Sequence, residues 1–186
     1  MVDRTSALDK NYEIVKKIND ENVNLIFNRN INLQITQVAA WPDTVSKVEL
    51  IISKYLKILS LPGSNFAEDN DSFTIMRVEP LKWWILNSDI PLLSTEEGTT
   101  LDLSHSFTNI QISGPSAKLF LNRFLPLDLR DNSFPINKVA SSAIHHVSVK
   151  LWLSRNGFQL FIPRGYAMSL WEIFQETATQ FGYEIK

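Results

Sequence analysis

The stretch whose reading decides the fold runs from Leu101 to Arg130, LDLSHSFTNIQISGPSAKLFLNRFLPLDLR; beyond a hairpin it resumes at Phe158–Gln175, FQLFIPRGYAMSLWEIFQ. Phe107, Asn109, Gln111 and Ser113 alternate with Thr108, Ile110 and Ile112, the period of a strand. Gly114-Pro115 then opens a helix, because proline's fixed φ and missing N–H suit the first helical position. Ala117, Phe120, Leu121, Phe124 and Leu125 fall on one helical face, and Pro126 ends the run. The unit reads strand, helix, a Pro126-Leu127-Asp128-Leu129 turn, hairpin, helix.

Toward the C-terminus, Ala143, His145, Val147, Val149, Leu151 and Leu153 share one face of a predicted strand. Ile144, His146, Ser148, Lys150, Trp152 and Ser154 share the other. Asn156-Gly157 predicts a hairpin turn with positive φ, and Phe158, Leu160 and Ile162 return along the partner strand. The last helix is expected to bury Ala167, Leu170, Trp171, Phe174, Ala178 and Phe181 and to stop at Gly182.

Toward the N-terminus, Phe73, Ile75 and Arg77 begin a strand that Pro80 forces to an edge, a bulge or a bend. Lys82–Leu86 resumes it, with Trp83 and Trp84 on opposite faces, one in the core and the other covering a second surface, inside the chain or on a partner. A helix is predicted from an Asp43 N-cap to about Ser60, with Val45, Val48, Ile52, Tyr55 and Leu59 on its apolar face; Ser64–Ser72 reads as a polar loop. Ile31, Leu33 and Ile35 alternate as a half-buried strand. Residues 1–30 read as a polar, loosely held arm with a short helix around Tyr12, Ile14, Val15 and Ile18. The arm is either a disordered tail or a segment that orders on a partner. Residues 31–186 read as a single α+β domain, built as one body or as two interlocked lobes. Strands interleave with three helices and hairpins, which is α+β rather than doubly wound.

Composition removes whole classes of chemistry. The 186 residues contain no cysteine, so disulfides, thiolate nucleophiles and Cys-ligated metals are excluded. The formal net charge of −2 gives no positive field for nucleic acid or acidic lipid. Met1–Lys10 lacks the apolar core of a signal peptide, and no apolar run approaches the roughly 20 residues of a membrane helix. The expectation is a soluble, cytoplasmic protein. Of three histidines, His145 and His146 are adjacent on the predicted strand and face opposite ways, so they do not chelate one metal. His145 is expected as a hydrogen-bonded core residue. Asp102, Ser104 and His105 have the residue types of a hydrolase triad but no nucleophile elbow. Gly114–Lys118, GPSAK, is not a phosphate loop. Arg164 sits near the N-terminus of the last helix, where a cation opposes the helix dipole unless a carboxylate or a partner compensates it.

The runs DLSHSFTNIQISGPSAKLFLNRFLPLDLR (102–130) and HHVSVKLWLSRNGFQLFIPRGYAMSLWEIF (145–174) resemble the gamma subunit of heterotetrameric sarcosine oxidase. That family is similar in turn to the folate-binding domains of the glycine cleavage T-protein. The turn at 126–129, Phe134-Pro135, the spacing of Arg164, Ala167 and Trp171, and RVEPLKWWIL at 77–86 carry the likeness, which covers roughly 73–181. It implies antiparallel and mixed sheets with three main helices, in ferredoxin-like lobes of the T-protein type. It implies an accessory, non-catalytic subunit of a complex that demethylates sarcosine oxidatively to glycine and passes the one-carbon unit to tetrahydrofolate. Partners would be an alpha-like large subunit with beta- and delta-like subunits, and FAD, FMN, NAD, zinc and tetrahydrofolate would sit on them, none on this chain.

Two positions depart from the pattern. Gly165 stands where the family has serine, and Leu127 replaces the asparagine of the T-protein Asn-Asp pair, leaving Asp128 alone. Asp128 is therefore expected to cap or bridge its turn. The candidate structural or interface residues are Asp128, Arg164, Trp83, Trp84 and Trp152. The tryptophans and the arm are expected on the face that docks the large subunit. The alternative reading is a stand-alone folate-binding protein or aminomethyltransferase-like enzyme, and a third is an interaction module that shares only the fold.

Overall fold

The structure, a computed structural model, describes residues 6–8, 23–70 and 72–186. The chain forms two units: residues 1–32, 105–136 and 141–186 make the first, and residues 33–104 and 137–140 the second. The chain leaves the first unit after residue 32, builds most of the second, and returns to the first at residue 105. The architecture is α+β, with two sheets and three α-helices among the described residues.

The first unit is built on a sheet of order β11-β1-β7-β10-β9-β8. Its strands are β1 (Leu25–Asn30), β7 (Phe107–Ser113), β8 (Val139–Ile144), β9 (Val147–Ser154), β10 (Gly157–Pro163) and β11 (Tyr183–Ile185). β1 runs parallel to β11 and antiparallel to β7, and β7 runs antiparallel to β10. Helices α2 (Ala117–Leu121) and α3 (Ala167–Ala178) bury Ala117, Phe120 and Leu121, and Ala167, Leu170, Trp171, Phe174 and Ala178. These residues lie on the expected faces, but both helices are shorter than predicted: α2 ends at Leu121, before half-buried Phe124, and α3 ends at Ala178, before half-buried Phe181 and before Gly182.

The arm is corrected here. Its last six residues, Leu25–Asn30, are an interior strand, with Leu25 and Phe27 fully buried. Phe27 meets Phe120, Trp171 and Tyr183 edge-on, at centroid distances of 5.5, 5.3 and 5.8 Å. Phe120 in turn meets Phe124, Phe174 and Phe181. Edge-to-face aromatic contacts add to ordinary burial, so the centre of this core is a residue of the supposed arm. Leu8 is buried as well. The helix expected around Tyr12–Ile18 lies outside the described residues.

A second correction concerns 143–154. The predicted long strand is two strands, β8 and β9, joined at His145-His146, where His145 adopts φ 52°. Both histidines are exposed, so His145 is a turn residue and not a core residue. At the next hairpin Gly157 takes φ 123°, while Asn156 keeps an ordinary φ.

The second unit holds an antiparallel sheet of order β3-β4-β5-β2-β6. Its strands are β2 (Ile35–Ala40), β3 (Ala67–Asp69, within the expected loop), β4 (Thr74–Glu79), β5 (Lys82–Leu86) and β6 (Gly98–Asp102). Pro80-Leu81 is the tight turn between β4 and β5, with a bulge at Arg77–Glu79, so Pro80 needs no place in the ladder. Helix α1 (Val45–Leu56) packs Val48 and Ile52 against Val38, Ala40, Ile75, Trp83 and Ile85. It starts at Thr44, whose hydroxyl donates to the Glu97 carbonyl at 2.6 Å, and not at Asp43. It ends early, because Lys57 turns left-handed (φ 57°); Leu59 is thereby left fully exposed and Tyr55 half-exposed.

Candidate functional site

Helix α2 delivers the chain into the turn that holds Asp128, between buried Leu125 and Leu129. The two leucines pin the turn to the core, so the Asp128 carboxylate lies outward. The Arg130 guanidinium donates to it from Nε at 2.8 Å and from Nη2 at 2.6 Å. The Arg130 backbone N–H donates at 3.1 Å and the Ser133 hydroxyl at 2.7 Å. Arg130's side chain, then Ser133, then Arg130's backbone hold the carboxyl well below the usual carboxylate range, and Asp128 raises Arg130 in return. Both carboxylate oxygens are occupied. A base must offer a free lone pair to a substrate proton, and this one offers none without breaking the turn.

Arg164 opens a short 3-10 turn (Arg164–Tyr166) that leads into α3, and its backbone N–H donates to the Ser106 carbonyl at 2.9 Å. It therefore sits at the strand–helix corner, as expected. A Cβ added at Gly165 meets no atom within 4 Å, so nothing steric requires glycine where the resembling family has serine.

The tryptophans do not form an exposed face. Trp83 is fully buried under α1, with the Arg77 guanidinium 4.9 Å from its ring centroid. Trp84, on the opposite face of β5, is 2% exposed and donates from Nε1 to Gln37 Oε1 at 3.1 Å. Trp152 is 6% exposed. All three are buried, and the tryptophan that reaches solvent is Trp41, 44% exposed.

The triad residue types are not assembled for nucleophilic chemistry. Ser104 is buried, its Oγ accepts the Ile35 N–H at 2.9 Å, and Asp102 Oδ1 accepts the Ser104 N–H at 2.8 Å. Both side chains complete a backbone corner. Among the described residues no group of three His, Cys, Asp or Glu is placed to hold a metal ion. No helix among them is long and apolar enough to cross a membrane.

One cleft was not foreseen. Strand pairing of Ile112 with Phe158 brings the Gly114-Pro115 corner beside the Asn156-Gly157 hairpin. Between them lies a cavity of about 360 Å3, lined by Ile112, Ala117 and Phe158 together with Ser113, Lys118 and Asn156. The turn signals were visible in the sequence; their adjacency depends on a pairing between residues more than forty positions apart.

No family model matches the chain. Three curated relatives match part of it. The sarcosine oxidase subunit gamma of Corynebacterium sp. (strain U-96) is 32% identical over 72 residues, 39% of this chain and 35% of that subunit. The corresponding subunits of Corynebacterium sp. (strain P-1) and Arthrobacter sp. are 31% and 29% identical over 75 residues each. The aligned part thus spans about a third of the length of these relatives. In fold, the chain is similar to a chain of the heterotetrameric sarcosine oxidase of Corynebacterium sp. U-96, solved with pyrrole 2-carboxylate. The TM-score is 0.78 at 17% identity, covering 96% of each chain. It is also similar to the glycine cleavage system aminomethyltransferase T of Bartonella henselae, with TM-score 0.55 at 12% identity, over 88% of this chain and 47% of that one. By sequence its relatives are sarcosine oxidase gamma subunits, and by fold it is similar to a chain of that heterotetramer and to aminomethyltransferase T, the two likenesses that its own residues imply.

Proposed function

We propose that this chain is an accessory, gamma-type subunit of a heterotetrameric sarcosine oxidase complex, without an active site of its own. In that complex sarcosine is demethylated oxidatively to glycine and the one-carbon unit passes to tetrahydrofolate. FAD, FMN, NAD, zinc and folate would be held by the alpha-, beta- and delta-like partners, in the cytoplasm. The observation that carries this reading is the match to a chain of the heterotetramer over 96% of both lengths. The partial sequence identity to three gamma subunits points the same way.

The geometry of Asp128 is the chemical support. In the T-protein reading this position is the reacting carboxylate. Here it is committed to Arg130 and Ser133, and the asparagine beside it is Leu127. A group that builds its own turn serves position and not proton transfer. Calorimetric titration of the isolated chain with tetrahydrofolate separates the two readings. The subunit reading expects no saturable heat; stoichiometric binding would favour a folate-binding protein. Co-expression with an alpha-like subunit then tests assembly directly.

A further inference from the structure

We infer, on the subunit reading, that an extended segment of the large partner subunit, carrying lysine or arginine, adds to the second unit's sheet along the edge of β6. The two edges of that sheet differ. At β3 the chain closes its own edge. The Ala67 N–H donates to the Asn137 carbonyl at 2.8 Å, the Val139 N–H donates to the Asn65 carbonyl at 2.8 Å, and Phe66 bridges to Lys138. β6 lies at the other end of the strand order, with β2 on one side. Register fixes which of its backbone groups look outward. The Leu103 N–H donates to the Ile35 carbonyl at 2.8 Å, one step beyond the pairing of Thr36 with Asp102. Bonded and non-bonded pairs alternate along an antiparallel ladder, so Thr99 and Leu101 bond to β2, while Gly98 and Thr100 turn their backbone groups away from it. The Gly98 N–H donates to the Ser94 carbonyl at 3.1 Å. The Gly98 carbonyl and the Thr100 N–H and carbonyl are then the main-chain groups that an added strand would satisfy.

The residues of the edge suit that use. Natural sheets blunt an open edge with lysine, proline, a bulge or a very short strand. β6 has five residues, Gly-Thr-Thr-Leu-Asp, without lysine or proline, and its register with β2 runs without a shift. Thr99 and Thr100 are β-branched and favour the extended backbone. Thr99 and Leu101 point to one face of the strand, where Leu101 is 53% exposed and Thr99 is exposed, so an added strand has accessible side-chain surface to cover. Charge selects the occupant. No lysine or arginine stands between Lys82 and Lys118, whereas Asp89, Glu96, Glu97 and Asp102 do. Glu97 is paired with Lys47 at 2.9 Å, and Glu96 and Asp102 are exposed near the two ends of β6. A second copy of this chain, paired antiparallel about Thr100, would set Gly98 opposite the other copy's Asp102 and bring the acidic ends together. Like charges on facing strands repel, whereas a lysine- or arginine-bearing segment meets both ends favourably.

The test measures binding of the full chain to the immobilised alpha-like subunit of the same genome, and hydrogen exchange across residues 98–102 before and after assembly. The Thr100 amide is expected to exchange quickly in the free chain and at least about tenfold more slowly in the complex. Thr100→Pro removes an outward N–H and keeps the bonds to β2, so the chain should stay folded while Kd rises about tenfold or more, the loss of one hydrogen bond and a steric block. Glu96→Lys, at an exposed position outside the strand, should raise Kd about two- to fivefold, and less at high salt. Circular dichroism melts report that each variant is folded. If the natural chain binds but its Thr100 exchange is unaltered, or both variants keep the natural Kd, the edge assignment is overturned and the subunit reading stands. No binding of the natural chain would overturn both. A dimer of the free chain that Thr100→Pro dissolves would give the edge to a second copy and overturn the pairing with a partner.

Discussion

Asp128 and Arg130, two positions apart, hold each other through Nε at 2.8 Å and Nη2 at 2.6 Å, and the same carboxylate also accepts the Arg130 backbone N–H. The aspartate closes its own turn and works there as a structural clip. Asp128→Asn is expected to leave sarcosine turnover of the assembled complex unchanged and to lower the melting temperature of the free chain.

That stability difference has a defined pH dependence. The folded-state carboxyl is depressed, so its contribution is fully present above the unfolded value of about 3.9 and is lost as pH falls through the lower folded value. Melting curves of the natural chain and of Asp128→Asn should be separated at pH 7 and converge at acid pH. Parallel curves down to the lowest accessible pH would contradict the assigned role.

Phe27 lies in a segment that composition marks as a tail. Its contacts with Phe120, Trp171 and Tyr183 predict that Phe27→Ala destabilises the chain by about 3–5 kcal/mol in urea unfolding, as for any fully buried aromatic. A loss under about 1 kcal/mol would mean that the strand is dispensable.

The legible and illegible parts of the fold differ in how local their causes are. β7 and the buried face of α3 follow from alternation and helical spacing, each contained in a short window, although α3 ends at Ala178, before the expected stop at Gly182. β1 and β11 do not. In LIFNRN only Leu25 and Phe27 are buried, and β11 has three residues, so neither carries a periodic signal of its own. β1 is a strand because β7 and β11 supply its hydrogen bonds on its two sides, and β11 because β1 does. The turn at His145-His146 was hidden because two turn residues preserve the alternation of the flanking strands. At the candidate site, the structural character of Asp128 was readable from the loss of its asparagine neighbour. The burial of Trp83, Trp84 and Trp152 was not, since adjacency on a strand says which faces they take but not what covers them.

Gly114 and Gly63 make a matched pair. Gly114 holds φ 104° with the Asn24 carbonyl 2.4 Å from where a Cβ would stand, whereas nothing lies within 4 Å at Gly63. Gly114→Ala should cost about 2 kcal/mol or more, and Gly63→Ala should be neutral or slightly stabilising, as urea midpoints will show.

Five tryptophans are present, and Trp41 is the one substantially exposed. Acrylamide should quench a minor, Trp41-dependent part of the emission, and Trp41→Phe should abolish most of that fraction. Efficient quenching that survives the substitution would mean that Trp83, Trp84 or Trp152 reaches solvent.

The central claim is that this chain works as a subunit. The direct measurement is size-exclusion chromatography with light scattering on the chain co-expressed with the sarcosine oxidase alpha-like subunit of the same genome. The predicted result is co-elution at one copy of each. Elution of this chain alone, beside a correctly folded alpha-like subunit, would contradict it.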